Sequence, residues 1–127
     1  MNRMFTNICT DNLNTTKDFY CRLFDFTVAF DSDWFIHLVS KDQKFELGII
    51  KRNHELVPID FQTNPQGFYL TFVVDDVDTS YEAIKEQGWD IVQKPTDTFY
   101  GQRRLLLKDP NGALLDISSP IPDFGSY

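Results

Sequence analysis

Asp116 is the one carboxylate within the apolar run Ala113-Leu114-Leu115-Asp116-Ile117. A charge in such a run needs a reason, because burying it unpaired is costly. Three roles are open to it: metal ligand, ligand contact or surface carboxylate. Arg103 and Arg104 lie just upstream and supply cations. His37 sits inside Trp34-Phe35-Ile36-His37-Leu38-Val39, either paired locally within a sheet or touching a ligand. His54 falls in a polar stretch, where solvation is expected. Trp34, Phe99 and Tyr100 are candidate walls for a cavity or ordinary core aromatics. There is no Gly-rich phosphate loop, no His-Glu-x-x-His and no Gly-x-Ser-x-Gly elbow.

The elements that must position these groups start with Arg103 to Ser119. Two short apolar runs flank Asp109-Pro110-Asn111-Gly112. Asp suits the first turn position, Pro the second and Gly the fourth, so a β-hairpin closed by a type I-based turn is expected. From the N-terminus, a strand is expected over 3–10. A helix follows, with Thr15 and Asp18 as a capping-box variant, an apolar face at Phe19, Tyr20, Leu23 and Phe24, and a stop near Asp25. Strands are expected at 26–31, 34–40 and 45–50. Residues 51–66 are polar, carry Pro58 and Pro65, and read as a linker whose Leu-Val-Pro-Ile-Asp-Phe can still pack.

The pattern then restarts. A strand is expected over 67–74, and Asp75-Asp76-Val77-Asp78-Thr79-Ser80 matches Asp11-Asn12-Leu13-Asn14-Thr15-Thr16, each residue 64 positions later. Thr79 and Glu82 form the second capping box. The second helix spans 77–87, with Gly88 as its stop. Strands follow at 90–94, 103–108 and 113–119. The order βαβββ occurs twice, which predicts an α+β fold of two modules. Each has a curved, mainly antiparallel sheet with one helix on its outer face, and the sheets surround a cleft. The expected organisation is one domain: module one 1–50, linker 51–66, module two 67–119 and tail 120–127.

Composition narrows the class. With 42% hydrophobic and 24% charged residues, the chain reads as soluble and globular. A net charge of −7 argues against nucleic acid or anionic membrane as partner and permits a cationic one. Twelve Phe, five Tyr and two Trp are a heavy aromatic load, suited to a core, a dimer interface or an aromatic cavity. Cys9 and Cys21 make no disulfide framework and are expected as free thiols in a reducing cytoplasm. The N-terminus lacks an apolar signal region.

These features together resemble the vicinal oxygen chelate superfamily, which includes glyoxalase I, extradiol dioxygenases and the fosfomycin and bleomycin resistance proteins. The resemblance rests on Asn12-Leu13 leading to Phe19-Tyr20, on Val73-Val74-Asp75-Asp76-Val77, on Gly101-Gln102-Arg103 and on Asp109-Pro110-Asn111-Gly112. The Leu-Gly-Phe that commonly closes the first helix is here Phe24-Asp25-Phe26, and Asp tolerates the left-handed conformation that such a stop needs. The resemblance implies four metal positions on the inner sheet faces, here occupied by Phe5, Glu46, Tyr69 and Asp116. Phe5 cannot coordinate and tyrosine is an uncommon ligand. Two carboxylates fall short of the three protein ligands a catalytic zinc site needs, so no metal cofactor is expected.

Strand alternation adds to this. If Glu46, Tyr69 and Asp116 face inward, then Phe45, Leu47 and Ile49, Phe68, Leu70, Phe72 and Val74, and Ala113, Leu115 and Ile117 face the helices. One of Arg103 and Arg104 must face the cavity, to meet an anionic group or to neutralise Glu46 or Asp116. The reading that follows is a cytoplasmic homodimer of bleomycin-resistance type that sequesters a small, cationic or aromatic molecule without metal. Its ligand contacts would be Phe5, Trp34, His37, Glu46, Tyr69, Tyr100, Arg103 and Asp116. The alternative is a divalent-metal lyase, isomerase or dioxygenase of the same superfamily.

Overall fold

The computed structural model describes residues 1–124; the last three residues of the expected tail lie outside them. The chain forms β1 (Thr6–Thr10), α1 (Leu13–Phe24), β2 (Phe26–Asp31), β3 (Phe35–Ser40), β4 (Glu46–Lys51) and a 3₁₀ turn (Ile59–Phe61). It continues with β5 (Tyr69–Val73), α2 (Val77–Gln87), β6 (Ile91–Asp97), β7 (Gln102–Lys108) and β8 (Leu114–Pro120). The order βαβββ is thus met twice. Two compact units divide after Pro65.

Each unit carries a four-stranded sheet, ordered β1-β4-β3-β2 in the first and β5-β8-β7-β6 in the second. Within each sheet the first and last strands of the module pair in parallel and the other pairs are antiparallel. The helix covers one face. In unit one, Phe19 and Tyr20 of α1 are buried with Ile8, Ile36, Leu38, Leu47 and Ile49. In unit two, Val77 and Ile84 of α2 are buried with Leu105, Leu107, Leu115 and Ile117. These are alternate strand positions, as one apolar face requires. The alternation stops where the strands stop: Phe45 and Phe68 precede β4 and β5 and are exposed rather than turned to a helix.

The helix starts are set three residues earlier than the capping-box reading. Asn12 caps α1, its Oδ1 accepting from the Thr15 N–H at 3.1 Å. Asp76 caps α2, accepting from the Asp78 N–H at 3.0 Å and from the Thr79 hydroxyl. Asx side chains cap as well as Ser or Thr, and these two preserve the 64-residue spacing. The stops are as expected: Asp25 has φ 56° and Gly88 φ 75°, both left-handed.

The 109–112 turn has the expected hydrogen bond, from the Gly112 N–H to the Asp109 carbonyl at 3.1 Å. Asp109 Oδ1 also accepts from the N–H groups of Asn111 and Ala113. β6 runs past its expected end through Pro95, which an edge strand tolerates, with register shifts on the way. In residues 51–66 only Val57 of the apolar set is buried, and Leu56, Ile59 and Phe61 are exposed. Cys9 in β1 and Cys21 in α1 are unpaired and half-buried, and burial pushes both thiols up from their usual range. Among the described residues no helix is long and apolar enough to cross a membrane.

Candidate functional site

In unit one the face of the sheet away from α1 carries a charged cluster around Glu46. Glu46 opens β4, and the β3–β4 register puts Val39 abreast of it and His37 abreast of Gly48. His37 Nε2 lies 2.8 Å from Glu46 Oε1. Arg3, which precedes β1, reaches the same carboxylate. Its Nε stands 2.9 Å from Oε1 and 2.7 Å from Oε2, and Nη2 also donates to Oε1. The Arg3 guanidinium lies over the Phe5 ring, 4.9 Å from its centroid, and that ring is 5.8 Å from the imidazole of His37. The Arg3 bond, with a smaller contribution from His37, holds Glu46 well below the usual carboxylate range, at about 2.

Gly48 lies in the row between Asn7 and His37. A Cβ there would run into Asn7 Oδ1 and the Phe35 ring. The absent side chain therefore lets Asn7 lie across the strand beside the cluster.

Unit two holds its carboxylate differently. Asp116 is 5% exposed and abreast of Thr71 and Leu106. Its Oδ2 accepts from the Thr71 hydroxyl at 3.2 Å and lies 3.9 Å from Arg104 Nη1. Oδ1 is buried and accepts no hydrogen bond from the described residues. Burial raises the Asp116 carboxyl above its usual range, against smaller opposing effects from Thr71 and Arg104. Arg104, not Arg103, is therefore the arginine on this face. Arg103 pairs with Asp78 of α2 at 3.2 Å and with Asp97 of β6 at 3.1 Å. Of the two arginines left open by the sequence, Arg104 is the one beside Asp116. Arg103 has the same parity as Leu105 and Leu107, which face the helix.

The remaining candidates are spread out. Tyr69 is half exposed and abreast of Leu114, two rows from Asp116. Tyr100 sits before β7 with its ring 5.4 Å from Phe99, and Phe99 is almost wholly exposed. Trp34 stacks on His54, centroids 4.2 Å apart and planes within 16°. His54 Nδ1 accepts from the Leu56 N–H. His54 is thus half-buried against an indole, where solvation was expected. The structure brings Phe5, His37 and Glu46 together and adds Arg3, which the sequence reading missed. The available signal was strand parity: Arg3 stands two residues before Phe5, on the same side of an extended chain.

The four positions do not fit a metal. Phe5 offers no donor, and Tyr69 is an exposed phenol. The Glu46 carboxylate is committed to a guanidinium and an imidazole, and Asp116 is faced by a cation. Among the described residues no three His, Cys, Asp or Glu side chains converge.

No curated protein matches the chain. Solved structures do. A glyoxalase/bleomycin resistance protein/dioxygenase family enzyme from Burkholderia phytofirmans PsJN is 24% identical, with a TM-score of 0.79 over 92% of this chain and 97% of that one. A member of the same superfamily from Sphaerobacter thermophilus DSM 20745 is 20% identical, with a TM-score of 0.76 over 94% and 98%. Hypothetical protein SA1046 from S. aureus is 19% identical, with a TM-score of 0.74 over 94% of each chain. These likenesses show the fold. The family model matches residues 4–117, nearly the whole of both βαβββ units, and the chain belongs to the Glyoxalase/Bleomycin resistance protein/Dioxygenase superfamily.

Proposed function

We propose that the chain is a small-molecule-binding protein of the glyoxalase/bleomycin resistance type that sequesters its ligand without metal or chemistry. The donor set carries this reading. Of the four positions where the superfamily's metal enzymes place ligands, one is a phenylalanine and one an exposed tyrosine. Glu46, the third, is already ion-paired. A face that mixes aromatic rings with a few placed polar groups suits a ligand site. The two carboxylates and the net charge of −7 favour a cationic or aromatic ligand. In this reading unit one offers Phe5, His37 and Glu46 as contacts, with Trp34 more peripheral, and unit two offers Tyr69 and Asp116, with Tyr100 more peripheral. Arg103, paired with Asp78 of α2 and Asp97 of β6, is not among them.

The protein works in the cytoplasm as a homodimer in this reading. Apolar groups left exposed on the strands, such as Phe30 and Val73, suit burial against a second copy.

Elemental analysis of protein purified without chelator tests the proposal, together with mass spectrometry of what co-purifies. The expected result is no stoichiometric metal and a retained organic ligand. Stoichiometric Zn, Ni, Fe or Mn would overturn it in favour of a metal-dependent lyase, isomerase or dioxygenase. Calorimetric titration with a bleomycin-type glycopeptide tests that one ligand class.

A further inference from the structure

We propose that unit one contains a guanidinium-recognition site and that the chain's own Arg3 occupies it as a displaceable stand-in for a guanidinium- or amidinium-bearing ligand. The inference rests on the reading above, in which Glu46 faces ligand.

The surroundings of Arg3 are those a guanidinium needs. The carboxylate of Glu46 receives Nε on both oxygens and Nη2 on one, so both prongs of the Nε/Nη2 edge are used. Cζ of Arg3 lies over the Phe5 ring, 4.9 Å from its centroid. His37 Nε2, 2.8 Å from Oε1, holds the carboxylate at the same oxygen that Arg3 Nη2 reaches. A nitrogen that donates to Glu46 cannot also accept from Arg3. The 3.3 Å between Nε2 and Arg3 Nη2 is therefore packing, and the imidazole's part is to orient Glu46. A compact ammonium has no fork and gains less from the ring face, so the arrangement selects by shape as well as charge.

The occupant is held far less firmly than its site. Glu46 and His37 sit on paired strands, with side chains 15% and 20% exposed. The Arg3 side chain is 56% exposed and belongs to residues 1–5, which form no strand ladder. Exposed ion pairs of long side chains hold weakly. If Arg3 swings out, Glu46 keeps His37 and loses its cation, and a free guanidinium restores the pair. Arg3 competes as a tethered group at high effective concentration, so its presence lowers affinity for any external ligand.

The test uses the full chain, with agmatine as the guanidinium probe and n-butylammonium as the forkless control. Binding is read from amide shifts of β4 and the imidazole signals of His37. In Arg3→Ala we expect agmatine to bind about tenfold or more tighter than in the wild type. No comparable gain is expected for n-butylammonium, and the agmatine gain should be lost in the double variant with Glu46→Gln. Equal agmatine affinity in wild type and R3A overturns the inference, as does a gain that survives E46Q. These outcomes are separate from the sequestration reading. A stoichiometric metal in the purified wild type would sink that reading even where the R3A gain is found, and a metal-free, ligand-retaining protein without the gain would sink only the stand-in role.

Discussion

Glu46 and Asp116 are carboxylates on helix-averted sheet faces of two similar modules, yet their electrostatics are opposite. Glu46 stands at the start of its strand, where an N-terminal arginine can reach it, and its carboxyl is pulled down to about 2. Asp116 lies mid-strand, 5% exposed, with its nearest cation 3.9 Å away and one oxygen unmatched, and its carboxyl is raised. The two are not counterparts in the repeat: Asp116 stands beside Thr71 as Gly48 stands beside Asn7, so Asp116 lies one same-face position further along its strand than Glu46 does. Desolvation grows with depth in the sheet, whereas a flexible cation is available only at the edge.

The largest expected effect tests the faces themselves. Leu115→Ala, on the helix side beside Asp116, should cost about 2–5 kcal/mol in urea unfolding, as for other buried leucines. Leu114→Ala, on the face of Asp116, should cost less than half of that. A reversed order would put Asp116 on the core side and end the comparison.

Asp116→Asn should raise stability at neutral pH by about 1 kcal/mol, because it removes a poorly matched buried charge and leaves an acceptor for Thr71. The folded-state pKa of Asp116 is raised above its usual 3.8. The protonated group therefore favours the folded state below that value, and the advantage is lost as pH rises through the raised pKa. The gain of D116N over wild type should accordingly fade in acid. A loss of stability at neutral pH would show that Arg104 pairs with Asp116 better than 3.9 Å suggests.

Arg103→Ala should cost only about 0.5 kcal/mol by thermal unfolding, since its pairs with Asp78 and Asp97 are exposed. A much larger loss would make Arg103 a principal tie between α2 and β6.

The smallest change is recognisable by its pH window. The Glu46 pKa is depressed, so the stability its pair contributes is present above the usual 4.5 and is lost as pH falls from there to about 2. Thermal melts across this range should show Glu46→Gln flatter than wild type. An identical pH profile would remove the ion pair from solution.

Much of this was legible in the residues. Pro110 and Gly112 announced the hairpin, the 64-residue spacing announced two modules, and the apolar alternation told the buried faces from the open ones. The caps were misread because Thr15 and Asn12 are both good cap types, and only the backbone shows which residue leaves the helix. The choice between Arg103 and Arg104 was hidden by Leu105-Leu106-Leu107, three apolar residues in a row that erase the period-two signal. Leu106 proves to share the face of Asp116, and Arg104 goes with it. The stack of Trp34 on His54 joins residues 20 positions apart in stretches with no shared pattern.

The sequence by itself determined the family, the two βαβββ modules and the two carboxylates on helix-averted sheet faces, because periodicity and turn chemistry are local and repeat along the chain. Only the tertiary structure decided which cation each carboxylate meets. Arg3 and Glu46 are 43 residues apart and bond within 3 Å, and Arg104 stops 3.9 Å short of Asp116. Such differences arise from strand register and from where the segment before β1 passes, and no local pattern encodes either.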